Sequence, residues 1–209
     1  MKEKKWVRLT AVVLLLLFVY ACASADSMQF SADDPNPSYR DYSDHAFNAE
    51  DYVQGMKKGG HNLLYWQNPT VDLSRYQAVQ VSDFGGHLLP AQNEFSYKPF
   101  IKTFNRAFMD SLKLNTGDTD ALIIEGAVVE CNPGSRAARY LVGFGAGKAA
   151  AAVVCEVYEP GQTSPCIRIY TRDTASGGAF GGDSRSMLNH ILNQLGIRNS
   201  SFLEEQMEK

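Results

Sequence analysis

GSRAARYLVGFGAGK, residues 134–148, lies between an apolar run that ends near Val129 and a β-branched run that starts near Ala150. A stretch placed in that way is a connector between two strands, and its neighbours set the fold. Glycines at Gly143, Gly145 and Gly147, every second residue, clear one face of the backbone so that another surface can approach it. With Gly134 they make a glycine loop that also carries two arginines. Arg136 and Arg139 stand three apart, which on a helical turn places them on one side. Together with Lys148 they are the candidate contacts for a partner or an anion, because paired guanidinium forks suit a carboxylate, phosphate or headgroup.

The same stretch rules out a nucleotide reading by its spacing. A phosphate loop needs four residues between its glycines and a Ser or Thr after the lysine, whereas Ala149 follows Lys148 here. A dinucleotide fingerprint needs a helix start after the glycines, whereas a strand pattern follows.

Outward on the amino-terminal side, Ala121 to Val129 reads as a strand. Before it, Phe100, Phe104, Phe108 and Leu112 recur in steps of four after a start at Ser96 and Pro99, which is one apolar helix stripe. Ala78 to Val81 is a short strand before that helix. On the carboxyl side, Ala150 to Tyr158 and Cys166 to Tyr170 are two strands joined by Glu159-Pro160-Gly161, a hairpin. A last helix starts at an Asp183 cap, carries Met187, Leu188, Ile191, Leu192 and Leu195, and is closed by Gly196. The order strand, helix, three strands, helix predicts an α/β fold (an α+β sandwich). Its mixed sheet has four to five strands, with both helices on one face so that both stripes are buried.

Cys155 and Cys166 lie equally far from the middle of the Pro160-Gly161 loop and are a candidate disulfide, which would leave Cys131 odd. His45, His61, His87 and His190 are scattered without ligand spacing, so the sequence calls for no metal and no cofactor.

The amino terminus reads as a leader. Lys2, Lys4, Lys5 and Arg8 precede an apolar run from Ala11 to Ala21, too short for a resident membrane helix. Val19-Tyr20-Ala21-Cys22 resembles the lipobox of bacterial lipoproteins, with Tyr20 where a small or aliphatic residue is usual. That resemblance implies cleavage after residue 21 and lipidation at Cys22. The absence of Asp after the cysteine implies an outer-membrane destination facing the periplasm. With Glu3, the leader holds a net +3, so a chain of −3 overall leaves −6 for the remainder, which excludes nucleic acid as a natural partner.

Residues 22–70 then read as a lipidated tether and a tyrosine-rich arm. Asn48 caps a short helix with Phe47 stapled to Tyr52, Lys57 and Lys58 fill its last turn, and Gly59-Gly60 stops it. Packing of the arm's aromatics on the body is the plain expectation; contact with a partner is the sharper one. The globular domain spans 71–199, and a charged tail or a further helical turn follows at 200–209.

The GSRAAR and GFGAGK pieces, with the strand after Asp72-Leu73-Ser74 and the glycine-rich approach to the last helix, resemble a family of bacterial lipoproteins known only as domain of unknown function 4410. The resemblance runs from about Val71 to Asn199 and places the family motif on Gly134, Ser135, Arg136, Arg139, Gly143, Gly145, Gly147 and Lys148. It implies no activity. The expected function is a non-enzymatic envelope lipoprotein, a binding or assembly module whose partner is an unidentified envelope protein or another copy of itself. The alternatives are a periplasmic enzyme or anion binder using Arg136, Arg139 and Lys148, and a subunit of a homo-oligomer.

Overall fold

Every residue of the strand Ala149–Tyr158 is buried, so it has protein on both faces. In the computed structural model, which describes residues 37–42, 46–91, 95–117, 120–134, 148–176 and 183–208, this strand is β5 of a six-stranded sheet. The others are β1 (Lys57–Gly60), β2 (Leu63–Gln67), β3 (Val79–Val81), β4 (Leu122–Asn132) and β6 (Ile167–Ala175), in the spatial order β1-β2-β6-β5-β4-β3. All neighbours are antiparallel except β3 and β4, which run parallel because a helix crosses between them.

Strand alternation divides β5 between two cores. Ala149, Ala151, Val153, Cys155 and Val157 face an inner core. There α2 (Lys98–Ser111) buries Phe100, Phe104 and Phe108, and α3 (Ser184–Met207) buries Leu188, Ile191, Leu192 and Leu195. Val154 faces an outer core with Tyr39, Tyr42, Tyr52 and Ala127. A bulge between Val128 and Glu130 of β4 shifts the alternation, which is how Cys131 comes to lie in the inner core.

The expected architecture of a mixed sheet with two helices on one face is the observed one, with one more strand than the upper expectation. The extra pair, β1 and β2, comes from the stretch read as an arm. Its short helix, α1 (Ala49–Tyr52), does start at an Asn48 cap. It does not reach Lys57, because Gly55 takes φ +74° and turns the chain first. Lys57 and Lys58 then form the edge strand, where lysines and a register shift blunt unpaired backbone.

Asp183 caps α3 through the N–H groups of Arg185 and Ser186. Gly196 does not close that helix, which continues to Met207 and buries Phe202, Leu203 and Gln206. Residues 200–207 are therefore helix packed on the inner core rather than a free charged tail.

The Cys155–Cys166 bridge is absent, and Cys131, Cys155 and Cys166 are all free and buried. The ladder explains it. Cys155 pairs with Ile169, whereas the N–H of Cys166 donates to Val157 O at 2.7 Å. Three residues of offset along a strand is about 10 Å, beyond the roughly 7 Å Cα separation a disulfide allows. Burial pushes the Cys131 and Cys166 thiols up to about 12, and Cys155 well above its ordinary value. All three are expected to resist alkylation in the folded protein and all three to be alkylated after unfolding without reductant. Peptide mapping checks this, and Cys155 and Cys166 both remaining masked after unfolding would restore the bridge.

Candidate functional site: a strap clasped over the outer sheet face

Of the charged residues of β5 and β6 that face away from the helices, the two buried ones are Glu156 and Arg168. They stand directly opposite each other in the ladder, and both are fully buried. A carboxylate in such a place is costly unless its lone pairs are filled. The filling comes from the segment upstream of β1, residues 37–42 and 46–52, which lies across the outer face as a strap.

Glu156 accepts four hydrogen bonds: from Ser38 Oγ at 2.7 Å, the Tyr39 N–H at 2.8 Å, the Tyr52 hydroxyl at 3.0 Å, and the Tyr158 hydroxyl. Three of these donors belong to the strap. Burial pushes the Glu156 carboxyl above its ordinary range, and the hydrogen bonds pull it part of the way back. Burial and the neighbouring Glu156 also hold the Tyr52 and Tyr158 hydroxyls well above theirs, so both remain donors.

Arg168 fastens the start of the strap. Its Nη1 donates to the Pro37 carbonyl at 2.7 Å, and its guanidinium lies 5.5 Å from the Tyr52 ring and 5.1 Å from the Trp66 ring. A second carboxylate, Glu125 of β4, accepts from the Tyr39 hydroxyl and Arg40 Nε, and the Arg40 guanidinium lies 4.1 Å over the Tyr158 ring. Tyr42, Phe47 and Tyr52 make a run of tilted ring contacts, and Tyr52 reaches Tyr170 of β6. The staple of Phe47 on Tyr52 and the packing of the arm's tyrosines on the body are therefore as expected. The acid and the arginine that organise them were not singled out in the sequence, where each sits as one charge inside a strand. The signal was available: Glu156 interrupts the apolar run from Ala149 to Tyr158, and Arg168 stands between two isoleucines.

Of the residues picked from the 134–148 stretch, Gly134 and Lys148 are described. Gly134 has φ +73°, its N–H bonded to the Asn132 side chain, and Lys148 is exposed just before β5. Pairing of Asn132 with Ala150 brings them to the same end of the β4–β5 hairpin, so the stretch does connect two strands. Arg136, Arg139, Gly143, Gly145, Gly147 and Cys22 lie outside the described residues.

Residues 103–192 match the family described as Domain of unknown function (DUF4410). The DUF4410 match is shorter than the span expected from the resemblance; it starts within α2 and ends within α3. Glu156 and Arg168 fall inside it, and the strap that they hold lies upstream.

Among solved structures, a PelC dodecamer from Paraburkholderia phytofirmans is similar at 13% identity and a TM-score of 0.42, over 67% of this chain and 95% of that one. A single-residue variant of the same protein gives 14% identity and a TM-score of 0.41 over the same shares. No curated protein matches the chain.

Proposed function

We propose that the protein is a non-enzymatic, membrane-anchored lipoprotein of the cell envelope, lipidated at Cys22 and working as a binding or assembly module on the periplasmic side of the outer membrane. The observation that supports this reading is what the buried carboxylate does. Glu156, the acid best placed for chemistry by its burial, has its acceptor positions taken by the chain's own strap and by Tyr158. Its acidity serves to fasten the segment that leads in from the proposed anchor. Pro37 is 15 residues from Cys22, a span of at most about 50 Å whatever its conformation. A domain fastened at Pro37 stays within that reach of the bilayer, and two or three acyl chains suffice for stable anchoring.

Labelled palmitate supplied to cells expressing the full chain is expected to enter the protein, and the protein to sediment with outer membranes. Cys22→Ala is expected to lose both the label and the membrane fractionation. Label retained by the alanine variant would remove the lipoprotein reading.

A further inference from the structure

Next to the strap, where the Tyr170 ring meets that of Tyr52 at 6.5 Å, the outer sheet face holds a pocket of about 390 Å³. Its floor is one row of the ladder. Lys58 of β1 stands opposite Leu64 of β2, and Leu64 opposite Tyr170 of β6. Arg172 and Thr174 continue β6 on the same face, since alternate residues of a strand share a side. The β1–β2 turn, with His61, makes one wall. That wall is held in place: the Asn62 side chain donates to Asp173 Oδ1 at 3.1 Å, and the Asn62 carbonyl accepts from the Arg172 N–H at 3.2 Å.

Two acids lie at this pocket, and each has a cation of its own. Glu130 stands across Ala152 from Arg172, and that small residue lets Arg172 Nε and Nη2 reach the carboxylate at 2.7 and 3.1 Å. Asp173 takes Arg198 Nη2 on one oxygen at 3.2 Å, and on the other the Asn62 side chain and the Thr174 N–H. Lys58 is the cation left over. Lys57, on the opposite face, lies 5.0 Å over the Tyr65 ring, whereas Lys58 has no ion-pair partner among the described residues.

The hydrogen-bonding surplus has the same sense as the charge. The half-buried Tyr170 hydroxyl has no hydrogen-bond partner among the described residues. Burial and the nearby Glu130 hold it above its ordinary value, so it remains a donor. Arg172 keeps Nη1 uncommitted, and Lys58 brings an ammonium with three donors. Donors to spare beside acids already matched call for an anion rich in acceptors. A carboxylate offers two oxygens in one plane; a phosphate group offers three in a tetrahedral spread, which suits donors arriving from β1 and from β6. The Leu64 side chain and the Tyr170 ring give the rest of such a molecule an apolar floor, in a volume of the size that small ligands use.

We propose that this pocket binds the phosphate group of an organic phosphate, with Lys58 as counter-charge, the Tyr170 hydroxyl and Arg172 Nη1 as donors, and Leu64 beneath the organic part. The site is separate from residues 134–148 and stands whether or not Cys22 is lipidated.

The probe is phenyl phosphate, titrated into the purified full chain in a non-ionic detergent and followed by amide chemical shifts. Saturable shifts are expected at residues 58–64 and 170–174, with benzoate binding more weakly. Lys58→Ala and Tyr170→Phe are each expected to weaken binding by about tenfold, the second while keeping the ring against Tyr52. Lys102→Ala, which removes an exposed cation on α2, is expected to leave it unchanged. Competition by glycerol 3-phosphate and by dihexanoyl phosphatidylglycerol separates the sources: stronger displacement by the first assigns the site to a soluble phosphate ester, and by the second to a lipid headgroup. The absence of saturable shifts overturns the proposal, as does an unaffected Tyr170→Phe variant. Benzoate bound as tightly as phenyl phosphate overturns the assignment to phosphate, and an equal loss in Lys102→Ala reduces the site to general attraction of anions.

Discussion

Glu156→Ala is expected to cost about 3 kcal/mol or more of stability, because each buried donor left without an acceptor costs about 1–3 kcal/mol. Four donors lose their acceptor at once, and Arg168 is left across the ladder without the acid that faces it. Denaturant unfolding followed by circular dichroism reads the loss, and limited proteolysis is expected to cut first within residues 37–56, since the strap loses its main fastening. A variant within about 1 kcal/mol of wild type and equally resistant to protease would mean that ring packing alone holds the strap.

Glu156→Gln gives the pH dependence. The folded carboxyl lies above its unfolded value, so its contribution is complete below the ordinary glutamate value and is lost as pH rises through the folded one. The stability of wild type relative to the glutamine variant is therefore expected to be highest in mild acid and to fall toward neutrality. A gap that widens with pH instead would show that the hydrogen bonds outweigh the burial.

What was legible in the sequence is what a local pattern can carry. The stripe of Phe100, Phe104 and Phe108, the Asp183 cap and the strands on either side of residues 134–148 each announce themselves within a few residues, and each is present. Lys57–Gly60 carries no strand signal at all; it is a strand because β2 pairs with β6 and offers it an edge. The cysteine pair failed for a related reason. Symmetry about a turn residue does not set the register; the ladder is set by which faces are buried, and it places Cys155 against Ile169. Glu156 and Arg168 matter through partners 117 and 131 residues away, Tyr39 and Pro37, a relation that no window of sequence contains.

Gly196 is where a sound local rule met a stronger tertiary demand. A glycine at the end of an apolar stripe signals a helix stop, yet this one sits inside α3 with the helix running on for eleven more residues to Met207. The reason is the crossing of α2. A Cβ built at residue 196 would lie 2.8 Å from both Phe104 O and Phe108 N, and 2.9 Å from Ala107 Cβ. Two of those atoms are α2 backbone and cannot rotate away.

Gly196→Ala is therefore a contest between two effects of opposite sign. Replacing an interior helical glycine gains about 1 kcal/mol of propensity, and overpacking a fixed contact costs about 1–3 kcal/mol. Because the clash is with backbone, the second is expected to win, with a net loss of up to about 2 kcal/mol for alanine. A larger loss follows for Gly196→Val, whose two γ-methyls force the helices apart and lift α2 from β4 and β5. Thermal or denaturant unfolding of the pair orders them: wild type most stable, alanine next, valine last. An alanine variant more stable than wild type would show that the helices can separate by the few tenths of an ångström they need, and that the glycine is not required for their crossing.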